Sequence, residues 1–173
     1  MPEPSVVIRA ARNSELPPIS ALEKSGDELF RAAGMDRVAD APAPEPDAYR
    51  PALEDGRLLV AVDQRDAAIG FIRLEILDGD LHVEQVSVHP DHAGRGIGAS
   101  LLAAAEQLAS ARGHRRMTLT TFRDVPWNAP YYTRLGWSAL QAADLPPELA
   151  AARLHERDLG LDEWPRQAMA KSL

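Results

Sequence analysis

The chain contains 173 residues, with 19 basic and 26 acidic side chains and no cysteine, and its formal net charge is −7 at pH 7. This length suits one domain with an ordinary core, spanning residues 1–173. The acidic balance argues against nucleic acid as a partner, and the lack of cysteine excludes disulfides, thiolate metal ligands and an acyl-cysteine intermediate. Because no stretch stays apolar over the roughly 18 residues of a membrane span and the amino terminus lacks a signal-peptide pattern, we expect a cytoplasmic protein that does not bind a membrane.

Apolar periodicity predicts an alternation of helices and strands, with three strands in succession near the middle of the chain. The predicted strands are residues 5–10, 57–62, 67–77, 81–88, 117–121, 137–140 and 166–173. The predicted helices are residues 14–33, 47–54, 97–112, 128–135 and 145–159, with a loop at residues 38–46. The last strand is expected at a sheet edge, where it could pair with a second copy of the chain. This order favours a mixed α/β fold of the α+β class over a doubly wound parallel sheet.

The predicted strand 81–88 contains a change of phase. Leu81 and Val83 lie on one face, whereas Val86 and Val88 have the opposite parity. A bulge of one residue near Glu84 would keep all four valine and leucine side chains on the core side. A strand that is buried on both faces explains the pattern equally well.

Three alternating glycines, Gly94, Gly96 and Gly98, follow this strand and open onto the predicted helix 97–112. Alternating glycines let the backbone curl around an anion, and the first N–H groups of a helix have no partner within the helix. The helix dipole adds partial positive charge at the same point. The segment therefore predicts a phosphate or pyrophosphate site for a phosphorylated cofactor, and a tight turn with glycines for packing is the alternative.

Three kinds of glycine loop compete for this segment. A P-loop would end in Gly-Lys-Ser or Gly-Lys-Thr, whereas Gly98 is followed by Ala99 and Ser100. A dinucleotide-binding loop would read G-x-G-x-x-G with an acidic residue about twenty positions further on. Here the spacing is G-x-G-x-G, and Asp124 is a weak match after the next strand. The pyrophosphate loop of acyl-CoA-dependent acetyltransferases fits the strand and the glycines together.

A second segment, residues 120–137, follows the glycine loop by one predicted helix and one predicted strand. The two segments together resemble the GNAT superfamily of N-acetyltransferases, and the resemblance extends over roughly residues 57–137. In that superfamily the glycine loop reads Q/R-x-x-G-x-G/A, and the later segment reads Asn…Ala…Tyr-x-x-x-Gly-Phe/Trp. The matching residues are Gly96 and Gly98 in the loop and Tyr132, Gly136 and Trp137 in the later segment.

The loop departs from the superfamily pattern at Ala93, which occupies the position of Gln or Arg. If that position contributes through its backbone N–H, cofactor binding survives the change, whereas a side-chain role would be lost. Arg95 either adds positive charge near the phosphates or is a solvated loop arginine.

The resemblance implies a central, mostly antiparallel sheet of about six to seven strands, flanked by helices and splayed between the strand 81–88 and the strand 117–121. Acetyl-CoA would lie in that cleft as co-substrate, with its pantetheine arm on residues 86–88 and its pyrophosphate on the amides of residues 93–98. No metal site is expected. The implied cofactor-binding residues are Val86, Ser87, Val88, Ala93, Gly94, Arg95, Gly96, Ile97, Gly98, Ala99 and Asn128, and Asn128 is also the expected cap of helix 128–135.

The implied chemistry is direct attack of a neutral amine on the thioester in a ternary complex, with a backbone N–H of residues 86–88 polarising the carbonyl. Tyr132 stands at the superfamily's tyrosine position and would protonate the departing thiolate, a step that suits a phenol of pKa near 10. Packing at a helix–strand contact is the alternative for this side chain. Glu84 is the candidate general base, with His82 as its rival and a solvated strand glutamate as the alternative.

The expected acceptor is a primary amine of a small molecule or a peptide. Phe30, Met35 and Trp127 are candidates for an apolar wall of its site, and core packing is the alternative for each. A function of another class also stays open, in which the protein binds acyl-CoA without catalysis as a sensor or an interaction module.

Overall fold

The computed structural model describes residues 5–173. Its strands are β1 (Val7–Ala10), β2 (Leu58–Val62), β3 (Ala68–Leu77), β4 (Asp80–Val88), β5 (Arg116–Phe122), β6 (Ser138–Ala139) and β7 (Arg166–Ser172). They form a seven-stranded sheet in the order β1-β2-β3-β4-β5-β7-β6. The pairings β1–β2, β2–β3, β5–β7 and β6–β7 are antiparallel, and the β4–β5 pairing is parallel. The predicted mixed α/β fold with a mostly antiparallel sheet is confirmed.

The helices are α1 (Leu16–Asp27), α2 (Asp36–Asp40), α3 (Arg50–Glu54), α4 (Ile97–Ala111), α5 (Ala129–Arg134) and α6 (Pro147–Asp158). A 3-10 turn extends α1 to Ala33, and Gly34 ends it in the left-handed conformation, as predicted. The loop predicted at residues 38–46 is wrong at its start, because α2 buries Val38 and Ala39 and this burial outweighs the proline-rich pattern that follows. In the described residues, none of the helices is both long enough and apolar enough to cross a bilayer.

The chain divides into two compact units. Unit one comprises the chain up to residue 74, described from residue 5, together with residues 85–105. Unit two comprises residues 75–84 and 106–173. The expectation of a single domain over residues 1–173 stays a prediction.

The core of unit one lies between α1 and the strands β2 and β3. Apolar side chains recur along α1 at helical spacing and alternate along β2, so each element presents one apolar face. Tyr49 and Phe71 meet edge to face, with ring centroids 5.8 Å apart. The buried members are Leu16, Ile19, Leu22, Tyr49, Ala52, Leu58, Val60, Val62 and Phe71.

Gly70 of β3 lets its neighbours in unit one approach closely. A Cβ atom at this position would lie 3.1 Å from the carbonyl oxygen of Ser87 and 3.3 Å from Cδ1 of Leu101. Both distances are shorter than ordinary van der Waals contact, so any side chain here would push against β4 and the first turns of α4.

The first half of β4 is buried on both faces. Leu81, His82 and Val83 are consecutive and all buried, whereas Val86 and Val88 are half-buried. This burial supports the alternative of two covered faces for the first half of the strand. A bulge near Glu84 stays a prediction.

In unit two, β5 pairs with β4 on one side and with β7 on the other. The parallel pairing joins Leu81–Val83 to Met117–Leu119. The prediction that the last strand lies at a sheet edge is wrong, because β6 pairs with β7 at Met169 and Ala170 on the side away from β5. A homodimer formed through that strand stays a prediction.

The first turn of α6 is capped by the turn between β3 and β4. The backbone N–H groups of Glu148 and Leu149 donate to the Asp78 carboxylate at 2.9 Å each. The Asp78 N–H in return donates to the Glu148 carboxylate. Near the other end, Glu156 accepts hydrogen bonds from Thr120, Arg153 and Arg166. Both ends of α6 are therefore tied to the strands of unit two.

Candidate functional site

The glycine loop connects β4 to α4 in unit one. Gly94 and Gly96 have φ angles of +75° and +73°, a conformation that costs an L side chain about 1–2 kcal/mol. Among residues 5–173, apart from the glycine and its two neighbours in the chain, no atom lies within 4 Å of a Cβ built on either glycine. Packing therefore does not explain these glycines, whereas the left-handed backbone does.

The glycine loop is followed directly by α4, a helix of 15 residues. By helix geometry, the N–H groups of Ile97, Gly98 and Ala99 have no acceptor within α4. Ser100 begins the regular pattern, because both its N–H and its hydroxyl donate to the Gly96 carbonyl, at 3.0 and 3.1 Å. Unpaired amides and the positive end of the helix dipole coincide here, which is the geometry that binds phosphate groups.

At Ala93, where the loop departs from the superfamily pattern, the backbone N–H has a partner within the loop. The Ala93 N–H donates to the Pro90 carbonyl at 3.1 Å and closes the short 3-10 turn Pro90–His92. The donor expected from Ala93 is thus engaged within the loop. The amides that remain for an anion begin at Gly94.

A groove of about 700 Å³ adjoins the same loop in unit one. Arg65, His92 and Arg95 line it together with Ile97 and Ser100. Asp63 also lines it, but the two arginines and the start of α4 give the groove an excess of positive charge, which favours an anionic ligand.

Past Val83, β4 continues without β5. In the described part of the chain, the parallel pairing ends at Val83 and Leu119, whereas β4 extends to Val88. On the β3 side the chain stays bonded, since the His89 N–H donates to the Ile69 carbonyl at 2.9 Å. Residues 86–88 thus keep a strand conformation beyond the parallel pairing. Their role as the edge that holds the cofactor stays a prediction.

Tyr132 lies on α5 in unit two. The left-handed Gly136, at φ +92°, turns the chain back so that Trp137 packs against Tyr132, with ring centroids 6.2 Å apart. Burial raises the pKa of the Tyr132 phenol above its usual value, so the phenol is protonated at neutral pH. The structure therefore supports the packing interpretation, and the phenol of Tyr132 is in its protonated form. Its role as the acid stays a prediction.

Asn128 does not cap α5 with its side chain. Its Oδ1 instead accepts a hydrogen bond of 2.8 Å from the Thr121 hydroxyl, so the predicted cap is wrong at the side chain. This bond ties the start of α5 to β5 within unit two. A role for Asn128 in cofactor binding stays a prediction.

The two candidate bases on β4 differ in exposure. His82 is 2% exposed, its Nδ1 lies 2.9 Å from the Thr118 hydroxyl, and burial lowers its pKa to about 4. A neutral imidazole of that pKa, shielded from solvent, is a poor base at neutral pH. The Glu84 side chain is 43% exposed, with its Oε2 4.0 Å from the His82 Nε2.

The three candidates for the acceptor wall have different environments. Met35 is buried in unit one, which favours the core-packing alternative. Phe30 is half-buried, and its carbonyl accepts a hydrogen bond of 3.0 Å from the Met35 N–H. Trp127 belongs to unit two and is 40% exposed.

Sequence reasoning missed a partly buried polar cluster in unit one. The Tyr49 hydroxyl donates to the Glu23 carboxylate, and the Arg73 guanidinium carbon lies 5.5 Å from the centroid of the Tyr49 ring. Burial raises the pKa of Glu23 and, together with the nearby Glu23 charge, raises that of Asp27 to about 7. The spacing of Glu23 and Asp27, four residues apart on one helix, was the available signal. The described residues contain no group of three metal-ligating side chains that could hold an ion.

The sheet order and the glycine loop at the start of α4 define an α+β protein of the acyl-CoA N-acyltransferase type. The acetyltransferase (GNAT) family model matches residues 26–137. The chain therefore belongs to the acetyltransferase (GNAT) family.

Curated relatives match over part of their length. The chain is 33% identical over 112 residues to the mycothiol acetyltransferase of Nocardiopsis dassonvillei, covering 65% of this chain and 28% of that protein. It is 38% identical over 80 residues to the mycothiol acetyltransferase of Clavibacter michiganensis, covering 46% of this chain and 25% of that protein. The chain thus spans about a quarter of the length of these relatives.

Solved structures share the fold at low sequence identity. N-acetylglutamate synthase from Neisseria gonorrhoeae, complexed with coenzyme A and N-acetyl-glutamate, superposes with a TM-score of 0.71 at 16% identity, covering 99% of this chain and 36% of that one. The PaiA N-acetyltransferase from Thermoplasma acidophilum, in complex with coenzyme A, superposes with a TM-score of 0.68 at 16% identity. The match covers 98% of this chain and 99% of that one.

Proposed function

We propose that this protein is an N-acetyltransferase that transfers the acetyl group of acetyl-CoA to a primary amine of a small molecule or a peptide. The observation that carries the proposal is the left-handed glycine loop, which leads from β4 into the free amides of α4. Membership of the acetyltransferase (GNAT) family supports it.

The cofactor would be held mainly by backbone groups of unit one. The N–H groups of residues 94–99 would bind the pyrophosphate, with Arg95 adding positive charge. The pantetheine arm would pair with residues 86–88, where β4 continues past its pairing with β5. An N–H of this segment would polarise the thioester carbonyl.

The acetyl group would pass directly from the thioester to the amine. The sequence contains no cysteine that could carry it as a thioester, and acetyl-CoA brings its own activated acyl group. The amine attacks the carbonyl carbon, the C–S bond breaks, and the Tyr132 phenol gives its proton to the departing thiolate. Glu84 stays the sequence-based candidate for the base.

The acceptor is a proposal at the level of chemical class. The names of the relatives and neighbours include a mycothiol acetyltransferase and an N-acetylglutamate synthase, so glutamate and other amino acids belong in any test panel. Polyamines, aminoglycosides and peptides with a free amino group complete it.

Release of free thiol from acetyl-CoA, measured with each amine of the panel, tests the proposal. We expect amine-dependent release, with one amine clearly preferred and its N-acetylated product detectable by mass spectrometry. A protein that binds acetyl-CoA but releases thiol with none of the amines would instead be a sensor of acyl-CoA.

A further inference from the structure

The turn between β2 and β3 lies at the same end of unit one as the glycine loop. The turn consists of residues 63–67 and joins the two antiparallel strands. The His89 N–H donates to the Ile69 carbonyl at 2.9 Å, so the start of β3 lies beside the segment that leaves β4. The groove of about 700 Å³ lies between the turn and the loop, and it is lined by Arg65 from the turn and Arg95 from the loop.

The hydrogen bonds of this turn fix the backbone at Arg65. The Asp63 carboxylate accepts hydrogen bonds from the N–H groups of Arg65 and Ala67, at 2.8 and 3.0 Å. The Asp66 carboxylate accepts hydrogen bonds from the Arg9 guanidinium, at 2.9 and 3.2 Å, and these bonds tie the turn to β1. The turn therefore holds Arg65 at the groove without engaging its side chain.

The two arginine side chains of the groove differ from most others in unit one. Among residues 5–173, the guanidinium groups of Arg65 and Arg95 form neither an ion pair nor a hydrogen bond, and both residues are exposed. Other arginines of the same unit are paired with carboxylates, namely Arg9, Arg31, Arg50 and Arg57. Two cations that no carboxylate pairs with in the described chain therefore lie at one groove.

The acidic residue in the lining of the groove is Asp63, and its carboxylate is engaged by the backbone. The hydrogen bonds from Ala67 and Arg65 are the largest causes that hold the pKa of Asp63 below its usual value, and the charge of Arg65 adds to them. One carboxylate leaves the two arginines in excess, so the groove favours an anion. The other polar residues of the lining are Ser5, Gln64, His92 and Ser100.

A phosphate monoester suits two arginines, because a planar guanidinium can donate two parallel N–H bonds to its oxygens. Acetyl-CoA carries such a group at the 3′ position of its ribose, and its pyrophosphate is attached to the same ribose. The order of sites in unit one matches the order of groups along the cofactor. Residues 86–88 would hold the pantetheine arm and the amides of residues 94–99 the pyrophosphate, and the groove follows on the β2–β3 side of the loop.

We propose that the groove binds the 3′-phosphate of acetyl-CoA, with Arg65 and Arg95 donating to its oxygens. The inference rests on the proposed function and deepens it, because it assigns a part of the cofactor that the backbone amides do not hold. Arg65, which lies outside the glycine loop, thereby selects CoA over its 3′-dephospho form. A phosphate group of another molecule would present the same oxygens, and the test separates the two sources.

The test measures the binding of acetyl-CoA and of 3′-dephospho-acetyl-CoA by calorimetry. The wild type should bind acetyl-CoA about tenfold more tightly or better, a difference typical of hydrogen bonds to a charged group. Arg65→Gln should weaken the binding of acetyl-CoA about tenfold and should leave the dissociation constant for the dephospho form within about twofold of the wild-type value. In the double variant Arg65→Gln/Arg95→Gln, the two cofactors should bind with equal affinity.

Arg37→Gln is the matched control, because Arg37 is an exposed arginine of α2 in the same unit and is not part of the groove lining. This variant should bind both cofactors as the wild type does. Arg65 is itself exposed, so Arg65→Gln should keep the wild-type Tm in the absence of cofactor. A loss of binding in that variant then reflects the groove and not the fold.

Equal affinity of the wild type for the two cofactors, or an equal loss with both in Arg65→Gln, would overturn the assignment. Inorganic phosphate that binds the wild type alongside saturating acetyl-CoA, and no longer binds Arg65→Gln, would assign the groove to a separate anion and overturn it as well. A selective loss of acetyl-CoA binding in Arg65→Gln, together with transfer to none of the amines by the wild type, would support the groove and overturn the proposed function. A protein that binds neither cofactor would overturn both.

Discussion

Tyr132 combines a packing contact with a phenol that is protonated at neutral pH. Its ring packs on Trp137, and burial keeps its phenol protonated. Tyr131 is its natural comparison, because it is adjacent on α5 and half-buried.

Replacing Tyr132 by Phe should lower kcat by about 10²–10⁴-fold, because the ring stays and the proton donor is lost. The dissociation constant for acetyl-CoA should change less than twofold, measured by calorimetry. Tyr131→Phe is the matched control and should keep its turnover. Wild-type turnover in Tyr132→Phe would remove this residue from the acid role.

Glu15 offers a second prediction, on stability and pH. Its carboxylate accepts hydrogen bonds from Arg9, at 2.6 and 3.0 Å, and from the Arg12 N–H at 2.7 Å. The Arg9 hydrogen bonds are the largest cause that holds the pKa of Glu15 below its usual value. A lowered folded-state pKa stabilises the protein above the unfolded pKa, about 4.3, and this stabilisation is lost as the pH falls through the folded value.

Glu15→Gln should therefore lower the free energy of unfolding at pH 7 by about 2 kcal/mol, since the amide keeps the backbone bond but loses the charge. The difference from wild type should shrink between pH 7 and the most acidic pH at which the wild type is still folded, because the carboxyl of Glu15 takes up a proton as the pH falls through its lowered pKa. Urea unfolding at both pH values measures it, with the exposed Glu54→Gln as control. A deficit that is equal at the two pH values would contradict the ion-pair explanation.

The residues that sequence reasoning predicted best are those whose role depends on the backbone. Gly94 and Gly96 could be predicted because only glycine adopts their conformation readily. The environments of His82, Met35 and Asp27 could not be predicted, because they depend on burial by elements distant in the sequence. His82 carried a pattern compatible with a base, and its burial beside Thr118 changed that interpretation.

At the scale of elements, α4 has a glycine with positive φ at each end, and the two glycines can be compared with each other. Gly96 precedes its first turn and Gly113 follows its last turn, with φ angles of +73° and +80°. Among the described residues, a Cβ built at either position has no atom within 4 Å other than those of the glycine and its two chain neighbours. The backbone strain from alanine is thus about the same at both ends, while the free amides lie at one end.

Gly96→Ala should raise the dissociation constant for acetyl-CoA at least tenfold, because the strained loop no longer directs its amides to one point. Gly113→Ala should lose a similar 1–2 kcal/mol of stability but bind acetyl-CoA as the wild type does. Calorimetric titration and thermal unfolding of both variants check the pair. Equal losses of binding in the two variants would mean that the loop acts through stability alone.

The elements with long apolar patterns were predicted closely, and of the short elements β6 was predicted whereas α2 was not. β3, β4 and α4 carry long, clear apolar patterns, and their observed bounds differ from the predicted ones by a residue. β6 lies within the predicted strand 137–140. In contrast, α2 is too short to show a helical period, so tertiary packing decides it. The pairing of β6 with β7 was not predicted, because a strand of two residues carries no pattern that indicates its partner.

For the whole molecule, binding of acetyl-CoA should raise the free energy of unfolding. At a free acetyl-CoA concentration about 100 times the dissociation constant, the free energy of unfolding should rise by about 2.7 kcal/mol. For a chain of this length that corresponds to roughly 5–11 °C in Tm. Adenosine, which lacks the pyrophosphate, serves as the control and should give no shift. A protein whose Tm does not respond to saturating acetyl-CoA would not contain the proposed site.

The reciprocal cap between Asp78 and α6 joins residues 70 positions apart in the sequence. Two amides of a helix are thereby protected by a turn that forms elsewhere in the chain. Exchange of these amides, Glu148 and Leu149, with solvent deuterium must await separation of the turn from the helix. Exchange at the start of α6 therefore reports on whether the β3–β4 turn is in place. The cap can form during folding only when two segments that are distant in the sequence meet.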